Sequence, residues 1–572
     1  MSRRSGYLVL LFGLFYLLLL SVQVSAQPLE VIEYKDPRSF SSYWSFEPFK
    51  PLPPGGVQPV VIPIAINMSF ENTGYTPKSV VVSIPPGNYS RAIINVSMRV
   101  TDRQFDRIFW IFANNVPIYW GSTIQRFNST AEADVTLFLN LFKGDVNFSI
   151  VLANFLAPSI GITGIFLVNI TLYLYPGKTP SWVPDTYIPL WGEAVPPIGS
   201  FTPDTLMLNT TLKIPDNAYR TALYLFAKPG RLDEFFYANI PSVRDILVYY
   251  NDDLAGVFHV FPTIFTGGIF PLYWRPMTSV NTHYTKSPQI IDLTPFLALG
   301  KNANISMRVI GMDEASKRAG SKLFVVMVGG ALLVWTDPSR AVSGGSIVKR
   351  EASYSRTPYI VDMESLGVSY YVENTRYRIY YEAILTTPKG VINTSTYSEG
   401  FSNANIYSSD SLFISTLMQN FTNKAIGSGA ASYSMESGGN YLIRLTSAFT
   451  FTPTSDPSKI PYNATLTEDD MIDVWLVRTL DNSHGEDWYR ETIYERAHVI
   501  GGFAINLTII DPHGGAIITA LDRASSTTTK SLSALILYNG KGYTEEFIIV
   551  TEASLRKPFG DYKEFYIKYM RI

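Results

Sequence analysis

Two acidic residues hold related places in this chain. Asp106, in Arg103-Gln104-Phe105-Asp106-Arg107, lies 22 residues after Ile84 (84 to 106), and Glu234, in Leu232-Asp233-Glu234-Phe235-Phe236-Tyr237, lies 20 after Ile214 (214 to 234). Each falls between an alternating and an apolar stretch, where the loops at the end of a β-sandwich gather. If two sandwiches pack side by side, both carboxylates face one cleft, and such a pair can activate a water and protonate a leaving nitrogen or oxygen. The competing reading pairs Asp106 with Arg103 or Arg107 and leaves Glu234 as a loop charge. A second candidate is Phe265-Thr266-Gly267-Gly268-Ile269-Phe270-Pro271-Leu272-Tyr273-Trp274-Arg275-Pro276. Gly267 and Gly268 allow a close backbone approach, and Trp274 beside Arg275 offers a stacking face and a forked donor for a sugar or polar amide. Here the alternative is a loop packed on a core aromatic.

Other chemistries are excluded or unsupported. The chain has no cysteine, which removes disulfides, thiolate metal sites and cysteine nucleophiles. His259, His283, His484, His498 and His513 lack the spacing of a zinc helix, no Gly-x-Ser-x-Gly elbow occurs, and there is no phosphate loop or dinucleotide fingerprint. Neither a metal nor a cofactor is expected.

The elements that must position these residues read as strands. Ile94-Asn95-Val96-Ser97-Met98-Arg99-Val100 alternates with period two, and Ile108–Phe112, Ile246–Tyr250 and Leu323–Val328 are short apolar runs rich in aromatic and β-branched residues. Long amphipathic helical patterns are missing, so the class is all-β. An internal repeat refines this. Ile84-Pro85 with Tyr89 and Ala92 matches Ile214-Pro215 with Tyr219 and Ala222, and Asp134-Val135-Thr136 with Phe138-Leu139 matches Asp292-Leu293-Thr294 with Phe296-Leu297. Two jelly-roll-like β-sandwiches therefore stand in tandem, the second with an insertion, followed by a further β-rich segment.

Composition sets the surroundings. The 572 residues carry 46 basic and 48 acidic side chains, a net charge of -2, which lacks the basic field needed for nucleic acid. Arg3 and Arg4 precede the apolar run Tyr7–Leu20, and Val24-Ser25-Ala26 follows as a signal-peptidase site; an uncleaved N-terminal anchor is the competing reading. Either places the remainder outside the cell, secreted or at the cell surface. Twelve Asn-x-Ser/Thr sequons suit an exported chain. Pro- and Gly-rich stretches divide it into a signal peptide (1–26), a leader (27–62), a first sandwich (63–176), a linker (177–203), a second sandwich (204–338) and a C-terminal β-rich domain (339–572).

The motifs Gln104–Phe109, Asp233–Pro241, Ala255-Gly256 through Phe261-Pro262, Ile264–Ile269, Trp274-Arg275-Pro276 and Asp292–Leu297 resemble the acidic, plant and fungal "A" type of peptide N-glycanases, over about Pro63 to Pro338. That family is similar in turn to a bacterial peptide N-glycanase built from two jelly rolls. The resemblance implies hydrolysis of the amide linking N-acetylglucosamine to asparagine in N-glycosylated peptides or proteins, with no cofactor. For that reaction Asp106 would orient or deprotonate the attacking water, or attack directly, and Glu234 would polarise the amide or assist departure of the nitrogen, with Arg275 and backbone N–H groups stabilising the oxyanion. Trp274 and Trp120 would be sugar platforms, and Arg107, Asp233, Asn154, Gly267 and Gly268 further substrate contacts. Asn154 and its neighbour Ala153 stand where the bacterial pattern has a Glu, and Gln125 stands where the plant pattern has one, so the site holds fewer acids than some relatives. The Cys–His–Asp arrangement of cytosolic peptide N-glycanases is unavailable to a Cys-free chain. Two other classes remain open: a glycosidase acting on N-glycans, and a non-catalytic glycan-binding or surface-layer protein.

Overall fold

The computed structural model describes residues 44–46, 54–102, 104–123, 128–263, 288–452, 461–481, 488–509, 516–538, 541–555 and 562–571. The expected signal peptide and the candidate loop bearing Gly267, Gly268, Trp274 and Arg275 lie outside them, as does Gln125. Among the described residues no helix is long and apolar enough to cross a membrane.

The first sandwich uses β1 (Trp44–Phe46), β2 (Val60–Phe70), β3 (Lys78–Ile84), β4 (Tyr89–Val100), β5 (Ile108–Ala113), β6 (Val116–Ser122), β7 (Asn128–Asp134), β8 (Gly144–Leu152) and β9 (Phe166–Pro176). They form one sheet in the order β1-β7-β4-β9-β2 and another in the order β3-β8-β5-β6. The second sandwich uses β10 (Thr186–Pro189), β11 (Gly199–Phe201), β12 (Met207–Lys213), β13 (Ala218–Arg231), β14 (Asp245–Tyr250), β15 (Asp253–His259), β16 (Gln289–Asp292), β17 (Asn302–Val309) and β18 (Phe324–Thr336). Its sheets run β10-β18-β13-β16 and β12-β17-β14-β15. The two topologies superpose strand for strand: β7-β4-β9 answers β16-β13-β18, and β3-β8-β5-β6 answers β12-β17-β14-β15. The repeat in the sequence is thus a duplicated sandwich, and the insertion falls between β15 and β16.

Two of the expected boundaries change. Within the leader, β1 pairs parallel with β7, and within the Pro-rich linker β10 and β11 both pair with β18. Proline is tolerated at such edge positions, so a Pro-rich stretch need not be a free linker.

The sandwiches meet through aromatics at adjoining sheets. Trp110 and Trp120 are cross-strand partners in β5 and β6. Trp120 stacks on Phe226 of β13 with centroids 4.4 Å apart and planes 10° apart, and Trp110 lies 6.2 Å from the same ring. Tyr224 meets Trp120 at 5.5 Å and Phe138 at 5.3 Å. Both faces of β5, β6 and β13 are therefore covered, which explains why these strands read as continuous apolar runs instead of alternating ones.

The C-terminal segment is a sheet of ten strands in consecutive order, from β19 (Gly344–Met363) through β20 (Val368–Thr387), β21 (Gly390–Ser408), β22 (Leu412–Gly429) and β23 (Tyr433–Thr452) to β28 (Tyr562–Arg571). β20 alternates buried and exposed along most of its length, so one face is covered. What covers it is the second sandwich: Phe296 packs on Tyr381 at 4.6 Å and Phe261 on Tyr441 at 4.9 Å. A buried polar joint seals the contact, with His259 Nδ1 2.7 Å from Asp245 Oδ1 and Thr375 Oγ1 donating to Asp245 Oδ2 at 2.8 Å.

Candidate functional site

Three segments converge at one end of the seam between the sandwiches. The first is the approach to β5. Gln104 is fully buried; its amide donates to the carbonyls of Phe155 and Gly164, each at 3.1 Å, and its oxygen accepts from the Phe105 N–H (2.9 Å) and from Arg107 Nη2 (2.6 Å). Arg107 also donates to the Phe155 carbonyl at 3.0 Å, and its guanidinium lies 5.5 Å from the Phe105 ring and 5.6 Å from the Phe155 ring. Asp106 is held between these fixed neighbours. It lies just before β5 and acts electrostatically on Glu234 and Lys228 of the second sandwich.

The second segment is the turn after β13. Arg231 adopts a left-handed φ of 56°, and the N–H groups of Asp233 and Glu234 donate back to Gly230 and Arg231 carbonyls, both at 3.1 Å. Asp233 is completely buried and paired bidentately with Arg244, at 2.9 Å from Nε and 2.7 Å from Nη2. Arg244 in turn donates to the carbonyls of Pro241 (3.0 Å) and Val243 (2.9 Å). Behind it the C-terminal sheet contributes Glu373, which accepts from the Val243 N–H at 3.3 Å, and Ser415, which donates to the Tyr237 carbonyl. Asp233 therefore anchors the turn, and half-buried Glu234 is the side chain it leaves at the seam.

The third is the β2–β3 connection. Asn154 is fully buried, and its amide donates to the carbonyls of Phe70 (3.0 Å), Glu71 (2.6 Å) and Gly164 (3.0 Å). This clamp fixes a loop whose exposed Tyr75 meets the exposed Phe155 edge-on at 6.0 Å.

Charges from both sandwiches act on one another here. Burial and the neighbouring Asp106 push the Glu234 carboxyl up to about 7, against the opposing pull of Lys228 and Arg107. Burial pushes the Lys228 ammonium down, opposed by Glu234 and Asp106. Burial also raises the Tyr75 phenol, with Arg231, Glu234 and Arg107 acting on it as well. A carboxyl whose proton is retained to near neutrality, beside a second carboxylate, can serve as a general acid while its neighbour accepts a proton. Among the described residues no group of three or more His, Asp or Glu side chains could hold a metal ion.

Of the expected residues, the structure brings Asp106, Glu234 and Arg107 together. Three others are corrected. Trp120 is 2% exposed and serves the interdomain stack, so it offers no face to a sugar. Asp233 is consumed by Arg244, and Asn154 is fully buried with its amide nitrogen on three backbone carbonyls; both position the site from beneath its surface. The expected Trp274, Arg275, Gly267 and Gly268 lie outside the described residues. Sequence reasoning missed Lys228, Tyr75 and Phe155. A signal existed for Lys228 alone: it is the one cation in the stretch Thr221–Ala227 to Pro229, at even spacing from Tyr224 and Phe226.

Gln104 gives a direct test of how the approach to β5 is held. Gln104→Leu takes one of two donors from each of the Phe155 and Gly164 carbonyls, which keep Arg107 and Asn154, and takes an acceptor from the Phe105 N–H and from Arg107, and is expected to destabilise the fold by about 1–3 kcal/mol. Thermal unfolding beside the unsubstituted chain measures this, and an unchanged midpoint would show that the clamp is not structural.

A family model described as peptide N-acetyl-β-D-glucosaminyl asparaginase amidase A matches residues 63–353. A relative from Prunus dulcis, peptide-N4-(N-acetyl-β-glucosaminyl)asparagine amidase A, is 29% identical over 330 residues, which is 51% of this chain and 55% of that protein. The chain thus spans about half the length of this curated relative. Among solved structures, PNGase F, a glycosylasparaginase from Flavobacterium meningosepticum, is similar with a TM-score of 0.35 at 11% identity, covering 48% of this chain and 96% of that one. PNGF-II is similar with a TM-score of 0.36 at 10% identity, covering 49% of this chain and 65% of that one.

Proposed function

The chain belongs to the peptide N-acetyl-β-D-glucosaminyl asparaginase amidase A family, and on that premise we propose that it hydrolyses the amide joining N-acetylglucosamine to an asparagine side chain. The observation that carries this is the meeting of Asp106 from one sandwich with Glu234 from the other, the second with its proton held to about 7. In this reading Asp106 accepts a proton from the attacking water as its oxygen bonds to the amide carbon. Glu234 delivers a proton to the nitrogen as the carbon–nitrogen bond breaks. The peptide keeps an aspartate, and the glycan leaves as a glycosylamine. Arg107, with Phe105, Phe155 and Tyr75 at the rim, offers a cation and aromatic faces to a pyranose. Arg275 is retained as the oxyanion donor of this proposal, with Trp274 and the Gly267-Gly268 backbone as its substrate contacts. Export by the N-terminal segment, with release or retention at the cell surface, belongs to the same reading, and N-terminal sequencing of the mature protein would test it.

The experiment is incubation with a defined N-glycopeptide and mass analysis of both products. Intact glycan together with Asn converted to Asp supports the proposal. A sugar left on the peptide would make the protein a glycosidase, and unaltered glycopeptide with measurable binding would make it a lectin-like module.

Glu234 also sets a pH dependence. As the acid it must hold its proton, so kcat/KM is expected to persist below about pH 7 and to fall above it. The same shift bears on stability. A carboxyl raised in the folded state binds its proton more tightly there than in the unfolded chain, so its contribution declines as pH rises from the ordinary glutamate range through about 7. A profile rising through pH 7 would remove Glu234 from the acid role.

A further inference from the structure

Lys228 is 6% exposed, in a strand whose other covered side chains from Ala222 to Pro229 are apolar or aromatic, the buried Arg220 and Thr221 lying at its far end. The period of the strand says where its ammonium goes. Tyr224, Phe226 and Lys228 share one face of β13, and the first two meet Trp120 and Trp110 of the first sandwich. Continuing that face by one step brings Lys228 to the end of the seam, just before the Arg231 turn that presents Glu234. On the opposite side the chain arrives at Trp110 from Asp106. The interior of an aromatic interface is a costly place for an ammonium unless carboxylates answer it, and an apolar side chain would pack there without that penalty.

We infer that Lys228 is a positioning residue whose ammonium bridges the two sandwiches at the site, holding Asp106 and Glu234 in one arrangement. The inference rests on the amidase reading of this site for its catalytic consequence. The charged and titratable groups that act on Glu234 are Asp106 and Arg107 before β5 and Lys228 on β13, with Tyr75 of the β2–β3 connection also coupled to it and Arg231 acting on Tyr75. Arg107 is committed to Gln104 and the Phe155 carbonyl. Lys228 is the buried cation of the set, and the stronger of the two acting on Glu234.

The test uses the full chain with Lys228→Met and Lys228→Arg. One readout is the titration of the Glu234 side chain by carbon-13 NMR, assigned with Glu234→Gln; the other is kcat and KM on a glycopeptide as a function of pH. In Lys228→Met the Glu234 midpoint is expected to move upward by at least about one pH unit, because an opposing positive charge is lost. In Asp106→Asn it moves downward, because a negative charge is lost. Lys228→Arg returns the unsubstituted midpoint. The alkaline limb of kcat follows the Lys228→Met shift, kcat falls by about tenfold or more, and KM changes little. A folded Lys228→Met protein with an unmoved midpoint overturns the inference. Should that variant fail to fold, titration of Lys228 itself by carbon-13 labelling of lysine decides the matter. Its midpoint drops in both Glu234→Gln and Asp106→Asn if the bridge exists, and an unmoved midpoint in either overturns it. If the Glu234 shifts occur but no amide is cleaved by the unsubstituted chain, the amidase reading falls and the bridge stands.

Discussion

Asp106→Asn lowers kcat/KM for N-glycopeptide cleavage by about 10³-fold, within the range for loss of a positioned proton acceptor. The substitution keeps shape and removes charge, so the segment held by Gln104 and by Arg107 against Phe155 is expected to keep its conformation. KM is expected to change by much less than kcat, because a proton acceptor acts in the transition state and not in the bound ground state. The measurement is steady-state kinetics on one glycopeptide, with thermal unfolding as the control for folding. Full activity in a folded Asp106→Asn protein would return Asp106 to the competing reading of an ion-pair partner for Arg103 or Arg107. The neighbour predicts a second consequence of the same change. Asp106 is the largest charge effect raising the Glu234 carboxyl, so its removal lowers the pH at which Glu234 loses its proton.

Asp233→Asn is expected to destabilise the protein by about 3–5 kcal/mol, because it leaves the fully buried guanidinium of Arg244 without its charge partner. The magnitude follows from the setting. Both side chains have no exposed surface, and Arg244 also ties down the Pro241 and Val243 carbonyls. Arg244→Met is expected to cost a similar amount, and replacing both partners together less than the sum of the two, since the second change no longer strands a charge. Urea unfolding at neutral pH measures these values. If Asp233 instead contacted substrate, Asp233→Asn would raise KM and leave the urea midpoint where it was. The expected result is the reverse at temperatures where the variant stays folded, apart from losses caused by movement of Glu234. The pair also ties function to the C-terminal sheet, since Glu373 and Ser415 hold the segment after the turn at Val243 and Tyr237.

Adjacent residues show where a local reading stops. Asp233 and Glu234 are both acidic and lie in one turn, and nothing in their composition separates them. The left-handed step at Arg231 and the hydrogen bonds that follow it send Asp233 into the body of the protein, to an arginine eleven positions along, and leave Glu234 at the seam. Trp120 teaches the same lesson for aromatics. An indole on an apolar strand suits a sugar face or a packed interface equally well, and only the position of Phe226 on another sandwich, 4.4 Å away, decides between them. Phe155 went unnoticed for the opposite reason. It follows the buried Asn154 and looks like a core residue, yet it is 45% exposed at the rim.

Much was determined by the sequence alone, because those features depend on neighbours along the chain. The absence of cysteine removed whole chemistries. Period-two alternation and β-branched runs established an all-β chain, and the paired Ile-Pro and Asp-x-Thr motifs established a duplicated sandwich with its insertion between β15 and β16. Matching positions in the two copies singled out Asp106 and Glu234. The tertiary structure decided what lies on the other side of each face: that the two carboxylates act on one another, that Lys228 enters the same seam, that short strands within the leader and the Pro-rich linker join the sandwiches, and that Asp233, Asn154 and Trp120 support the site from within. Alternation tells which residues share a face, but burial and electrostatics depend on what covers that face, and here the cover comes from strands more than a hundred residues away.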